Sequence, residues 1–169
     1  MENNVHILKD RAILYLNGPD TIDFLQMLDL IIKNGQCYIN GKLETKDIAI
    51  DNGKIFKIGE ISEEAKETYN ANNQIVLPGC IDTQTHFREP GSTDTEDLHS
   101  GSRAAVAGGI TAVFEMPNTN PPTSNIKEFQ RKLDLAKNRM YCNYAFYFGA
   151  TADNANDLAD LKNLEGCCG

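Results

Sequence analysis

The sequence predicts an α/β fold in which a small β segment precedes three strand–helix units of a parallel sheet. Three observations carry this. Residues 80–169 alternate short apolar, β-branched-rich runs with helical stretches, the rhythm of right-handed βαβ units. Residues 30–79 alternate apolar runs with Asn-Gly turn signals. Hydrophobic residues make up 41% and charged residues 24%, the balance of an ordinary globular chain rather than a disordered one.

Three stretches follow: 1–29, an apolar-rich opening; 30–79, small β structure; and 80–169, the strand–helix units. In the second stretch, Leu30-Ile31-Ile32 and Cys37-Tyr38-Ile39 flank Asn34-Gly35, a hairpin signal, and Ile48-Ala49-Ile50 and Ile55 to Ile58 flank Asp51-Asn52-Gly53, a second one. Ser62 to Tyr69 is charged and reads as a short surface helix. Gln74 to Leu77 reads as a strand stopped by Pro78-Gly79. In the third stretch, Cys80–Thr85, Ile110–Met116 and Tyr141–Phe148 are the strands. Asp94–Gly108 is the first helix, stopped by Gly108-Gly109. Asn125 with Glu128 opens a second helix running to about Asn138. Asn154–Leu164 is the third helix, and Gly166-Cys167-Cys168 stands where a fourth strand would begin. Glu96 and Asp97 are expected to cap the first helix, His99 to lie on its surface, and His6 to be a bystander.

Charge and length exclude several functions. Lys plus Arg is 16 against 24 for Asp plus Glu, a net charge of −8. No basic surplus exists to neutralise phosphates, which argues against nucleic-acid binding. No stretch of about 18 apolar residues occurs, so no membrane-spanning helix is expected. Met1-Glu2-Asn3-Asn4 lacks the basic start of a signal peptide. The 5 cysteines include no Cys-x-x-Cys pair, and an odd number without a leader points to a reduced, cytoplasmic protein. Cys167 and Cys168 read as buried strand thiols.

The chemistry gathers in Asp82-Thr83-Gln84-Thr85-His86-Phe87-Arg88-Glu89-Pro90-Gly91, at the end of the first strand of the parallel set. Carboxyl ends of parallel strands are where α/β barrels place their sites. Alternation would put Asp82, Gln84 and His86 on one face, with Arg88 just beyond. Such a face suits a metal and an anionic ligand. From the residues alone, a core histidine held by hydrogen bonds is an equally good reading of His86.

Leu77-Pro78-Gly79-Cys80-Ile81-Asp82 followed by His86-Phe87-Arg88-Glu89-Pro90-Gly91 resembles the opening of the amidohydrolase superfamily in its dihydroorotase form. Glu96-Asp97, Gly101-Ser102, Ala104-Ala105, Gly108-Gly109-Ile110-Thr111 and Met116-Pro117-Asn118-Thr119-Asn120-Pro121 follow in that family's order, and the likeness runs from about Leu30 to Gly169. Allantoinases are similar but carry Asn where Arg88 stands, and hydantoinases lack the Arg-Glu-Pro-Gly. Residues 11–26 more weakly resemble the start of folate-binding proteins of the aminomethyltransferase type. Residues 1–29 are therefore either an N-terminal extension or a fused foreign segment.

The dihydroorotase resemblance implies a fold, a reaction and a site. The fold is a (β/α)8 TIM barrel with a small β-sandwich. A closed barrel takes about 250 residues, so this chain would hold its first three βα units and be truncated. The reaction is the interconversion of N-carbamoyl-aspartate and dihydroorotate in pyrimidine biosynthesis, a metal-dependent hydrolysis of a cyclic amide C–N bond. Zn²⁺ lowers the pKa of a bound water in such sites. The resemblance makes His86 a metal ligand and Arg88 and Asn118 the substrate-binding groups. Gln84 stands where the family has its first metal histidine, and an amide oxygen is a weaker zinc ligand than imidazole. Some dihydroorotase-like proteins also read Asp-x-Gln-x-His here, so Gln84 fits either a subfamily or a lost ligand. The family's bridging lysine, two further histidines and its aspartate proton carrier would follow Gly169.

Three readings stand on this basis: a dihydroorotase completed elsewhere, a non-catalytic dihydroorotase-like partner of aspartate carbamoyltransferase, or the product of a decayed or rearranged gene. The family resemblance leans towards an enzyme, the third reading is favoured for this chain, and residues 1–169 alone are expected to be inactive. An open sheet edge is expected to promote self-association.

Overall fold

The computed structural model describes residues 6–8, 11–14, 27–155 and 158–169. Two compact units divide between Gly79 and Cys80. The reading of residues 1–29 lies outside the described residues, apart from Met27–Asp29 and the backbones of two short strands, β1 (His6–Leu8) and β2 (Arg11–Leu14). The side chain of His6 is likewise outside them.

The first unit is a sheet built on one long strand, β3 (Leu28–Ile39). It pairs antiparallel with β4 (Lys42–Asp51), which pairs antiparallel with β5 (Lys54–Gly59). On its other side β3 pairs parallel with β6 (Ala65–Asn70) along its first half and with β7 (Ile75–Pro78) along its second. Leu30, Ile32, Cys37, Ile48, Ile50, Ala71 and Val76 form one core cluster, and Leu28, Ile31, Ala49 and Ile61 another. The turn at Asn52-Gly53 is as the sequence predicts, with both residues at positive φ (50° and 69°).

Two sequence expectations are corrected in this unit. Asn34-Gly35 does not turn the chain. It is a bulge inside β3, between Ile32 and Gly35, and the hairpin turn is Asn40-Gly41 instead (φ 48° and 81°). Long-range partners decide this: the Asn34 amide donates to Asp47 Oδ1 at 2.8 Å, and its side-chain Nδ2 donates to Asn70 Oδ1 at 3.1 Å. Gly35 is needed there because β7 comes close; a Cβ at this position would lie 2.7 Å from Val76 Cγ2. The stretch Ser62–Tyr69 is not a helix. Its second half is β6, registered with Leu28–Lys33. The charged residues stay at the surface, and Lys66 pairs with Asp29 at 2.6 Å on the neighbouring strand. Tertiary pairing outweighs their helix propensity.

The second unit is a parallel three-stranded sheet, ordered β10-β9-β8, with β8 at Cys80–Thr85, β9 at Ile110–Glu115 and β10 at Asn143–Phe146. Helix α1 (Leu98–Ala107) joins β8 to β9, and α2 (Ile126–Ala136) joins β9 to β10. Asp97 caps α1, accepting from the Ser100 amide at 2.6 Å, while Ser100 Oγ lies 3.1 Å from the Asp97 amide; the box is reciprocal. Asn125 caps α2 by accepting from the Glu128 amide at 2.9 Å. The expected third helix is a short 3-10 turn, Leu158–Asn163. Its sequence explains the difference: Leu158, Leu161 and Leu164 recur every third residue, and all three pack against the core. After it, Cys167 bridges Phe146 in parallel, and Phe148 N–H donates to the Gly169 carbonyl at 2.8 Å. Residues 166–169 thus partly cover the edge of β10 that the sequence suggested would be open.

The core of this unit holds Phe87, Leu98, Val113, Phe129, Ala136, Phe146 and Phe148. One ion pair is buried in it. Lys132 of α2, at 0% exposure, pairs with Glu115 of β9, at 1%. The Lys132 ammonium sits 5.1 Å from the centre of the Phe146 ring and donates to the Met116 carbonyl at 3.0 Å. Burial pushes the Glu115 carboxyl above its ordinary pKa and the Lys132 ammonium below its own.

Breaking this pair leaves a charge in the core. Lys132→Met alone should cost about 3–5 kcal/mol, whereas Lys132→Met with Glu115→Leu should be close to neutral. Urea unfolding of the two variants checks this; a double variant as unstable as the single one would show the pair is not coupled. At the helix cap, Asp97→Ala should cost about 1 kcal/mol. The two hydrogen bonds from Ser100 hold the Asp97 carboxyl below its ordinary pKa of 3.8. The stability it contributes is therefore complete above that value and is lost as pH falls through the lower folded-state value. Asp97→Asn should keep the cap but flatten this acid limb, as read by unfolding midpoints between neutral and strongly acidic pH.

Candidate active site

Parallel pairing places the carboxyl ends of β8 and β9 side by side: Thr85 pairs with Glu115, which also pairs with Phe146 of β10. The segments leaving those ends carry the residues singled out by the sequence. Residues 86–92 follow β8, and residues 116–124 follow β9. The two are tied together, since Asn120 N–H donates to the Pro90 carbonyl at 2.9 Å and Met116 N–H donates to the Thr85 carbonyl at 2.9 Å.

The expected row of Asp82, Gln84 and His86 does not form by simple alternation. A register shift between Asp82 and Thr85 puts Thr83 and Gln84 opposite a single residue of β9, and His86 lies past the end of the strand. Asp82 turns back on its own chain, accepting from the Gln84 amide at 3.0 Å. The Gln84 side chain is exposed and has no hydrogen-bond partner among the described residues. His86 is half-buried, and its Nδ1 lies 2.8 Å from Asn118 Oδ1. With the proton on Nδ1, the imidazole donates to Asn118 and keeps Nε2 free to ligate or accept. Fixing one ring nitrogen in this way is how proteins orient a ligating histidine. The geometry thus unites His86 with Asn118, residues the sequence singled out for different tasks.

Arg88 is exposed, and its guanidinium has no partner among the described residues. Its neighbours are anchored. Phe87 is in the core, and Glu89 is buried at 7% exposure with its carboxylate gripped by both Nη atoms of Arg139, at 2.8 and 3.1 Å. An exposed guanidinium without a partner among the described residues can receive an anion bidentately.

A complete metal centre is not present in these residues. No group of three His, Cys, Asp or Glu converges among the described residues. The thiols do not help: burial pushes Cys142 and Cys168 up to about 11, so both stay protonated near neutral pH. His86 Nε2 is one good ligand and Gln84 a weak second, short of the three protein ligands of a catalytic zinc. His99 lies on the surface of α1 as expected, 3.2 Å from the Tyr141 hydroxyl.

Sequence reasoning missed Glu89, Arg139, Glu115 and Lys132. A signal for two of them was there. Phe129, Lys132 and Ala136 share the buried stripe of α2, and a lysine in such a stripe calls for a buried acid. Arg139, 50 residues from Glu89, left no local trace.

The chain was compared with known proteins. Residues 75–165 match the family model described as the amidohydrolase family. A dihydroorotase of Methanosarcina mazei is 39% identical over 140 residues, covering 82% of this chain and 30% of that protein. An allantoinase of Salmonella choleraesuis is 42% identical over 137 residues, covering 80% of this chain and 30% of that one. Among solved structures, an L-hydantoinase (dihydropyrimidinase) from Arthrobacter aurescens superposes with a TM-score of 0.74 at 28% identity, over 81% of this chain and 31% of that one. The chain thus spans about 30% of the length of the curated relatives it matches. Sequence identity to a dihydroorotase, a shared fold and a matching family model agree: the chain belongs to the amidohydrolase family and is dihydroorotase-like within it.

Proposed function

We propose that this site serves the dihydroorotase reaction of pyrimidine synthesis, as the part that binds N-carbamoyl-aspartate or dihydroorotate. The observation that carries the reading is the exposed Arg88 guanidinium, without a partner among the described residues, in the loop that leaves the carboxyl end of β8 two residues after His86. A carboxylate substrate needs such a cation. The allantoinase and hydantoinase relatives match the chain overall, but their rings carry no carboxylate for Arg88 to hold, and by resemblance allantoinases place Asn at this position.

The chain's own residues divide the work. Arg88 grips the carboxylate through two parallel N–H donors. Asn118 spends its Oδ1 on His86, which leaves its Nδ2 free to donate to a substrate carbonyl. The described residues do not fit a complete zinc site. The proposal extends to the closed barrel, to a cytoplasmic location and to zinc as the metal of the whole enzyme. The reading allows aspartate carbamoyltransferase as a macromolecular partner, and self-association of the chain.

Residues 1–169 should give no dihydroorotate from carbamoyl-aspartate. They should instead bind carbamoyl-aspartate weakly, and Arg88→Ala should weaken that binding by about 1 kcal/mol, roughly fivefold, as expected for a charge contact near water. Allantoin, which has no carboxylate, should show no dependence on Arg88. Chemical-shift titration of both ligands is the test, and binding of carbamoyl-aspartate that is indifferent to Arg88→Ala would overturn the assignment. For the metal, the purified chain should hold well under one equivalent of zinc by elemental analysis. Gln84→His should raise the zinc affinity without creating a full site; one tightly held zinc in the unaltered chain would contradict this.

A further inference from the structure

Seven non-glycine residues have positive φ among the described residues, and six of them are asparagines: Asn34, Asn40, Asn52, Asn72, Asn73 and Asn138. Asparagine tolerates the left-handed region. The seventh is Arg88, at φ 61°. A long side chain persists there only when its surroundings enforce the conformation.

The enforcing contacts lie on both sides of Arg88. On one side the Phe87 ring is wedged onto α1 at Gly101, where a Cβ would come within 2.4 Å of the ring. On the other side the buried Glu89 carboxylate is held from two directions. Its Oε2 accepts from the Leu98 amide at the start of α1 at 2.9 Å, and the Arg139 fork binds both oxygens. Arg139 is itself anchored past the end of α2, where its Nη1 donates to the Leu135 carbonyl at 3.0 Å and its backbone N–H to the Ala136 carbonyl at 3.0 Å. Asp97 Oδ2 stands 3.7 Å from Nη2. The Arg88 carbonyl accepts from the Ser92 amide at 2.9 Å, closing the loop behind it.

We propose that Glu89 and Arg139 are positioning residues for Arg88: their ion pair fixes the chain after Arg88 to the ends of α1 and α2, keeps the Arg88 backbone left-handed, and so presents its guanidinium to an incoming carboxylate. The ligand in this statement rests on the function proposed above; the conformational coupling does not. Arg139 touches no ligand and acts through Glu89 and the backbone.

The test is a double-mutant cycle on the full chain, combined with a spectroscopic marker. Arg88→Gly relieves the left-handed strain, so its effect on the folding equilibrium constant should be about fivefold more favourable in the unaltered chain than in an Arg139→Met background, where Arg88 is free to relax. The strong intraresidue amide–Hα cross-peak that marks positive φ should be seen at Arg88 in the unaltered chain and in Arg139→Lys, and be lost in Arg139→Met. Glu89→Gln, which keeps an acceptor for Leu98 but drops the charge, provides the same readings should Arg139→Met not fold. Additive effects of Arg88→Gly and Arg139→Met, with the cross-peak unchanged in Arg139→Met, would overturn the proposal. Failure of the functional reading looks different: carbamoyl-aspartate binding would be missing from the unaltered chain while the cross-peak at Arg88 persists.

Discussion

The parallel pairing of β8, β9 and β10 is the constraint on which the second unit depends. Parallel neighbours cannot be joined by a tight turn; each connection must travel back along the sheet, and here α1 and α2 do so. Every strand therefore ends on the same side. Thr85, Glu115 and Phe146 stand level at that side, and the loops that leave it carry Arg88 and Asn118. His86 and Asn118, 32 apart in sequence, meet because the sheet has one direction. The hydrogen bonds between the loops, Asn120 to Pro90 and Met116 to Thr85, follow from the same register.

Two buried carboxylates then set how rigid that side is, and they are compensated differently. Glu115 is matched by a lysine as deeply buried as itself. Both charges lose their hydration, so the pair contributes little net stability and mainly specifies how α2 sits on β9. Lys132 converts this into geometry for the site, because the ammonium also holds the Met116 carbonyl, two residues before Asn118. Glu89 instead meets an arginine whose side chain keeps 36% of its surface exposed, and a helix amide that needs an acceptor anyway. Less hydration is lost, the fork is bidentate, and the interaction is directional. The core lysine orders the β9 loop; the half-exposed arginine orders the β8 loop.

What could be read from the sequence was what depends on neighbours in the chain. Cys80–Thr85 was legible as a strand, Asn52-Gly53 as a turn, and Asp97 and Asn125 as caps, because each signal acts within a few residues. Asn34-Gly35 has the same local signature as Asn52-Gly53, yet Asp47 and Asn70 claim its polar groups and the strand runs on through a bulge. Ser62–Tyr69 was misread for the same reason, its conformation being fixed by β3. In the site, His86, Arg88 and Asn118 were legible as chemistry because their residue types are the reagents. Their arrangement was not: the bulge at Thr83-Gln84 breaks the alternation that would have aligned Asp82, Gln84 and His86, and Lys132 and Arg139 come from α2 and from the residues just after it.

The strength of an anion contact at Arg88 follows from how exposed that residue is. Two unit charges at about 4 Å attract by about 1 kcal/mol in bulk water and about 4 kcal/mol at the effective dielectric of a protein surface cleft. Arg88 is exposed, so an anion contact made there falls near the lower figure. Only walls that exclude water from the guanidinium would raise the energy of such a contact. Such walls would also desolvate His86 and Asn118, and the hydrogen bond between them would strengthen together with the ion pair. Under the proposed function, the energy of the carboxylate contact follows from how far water is excluded from Arg88.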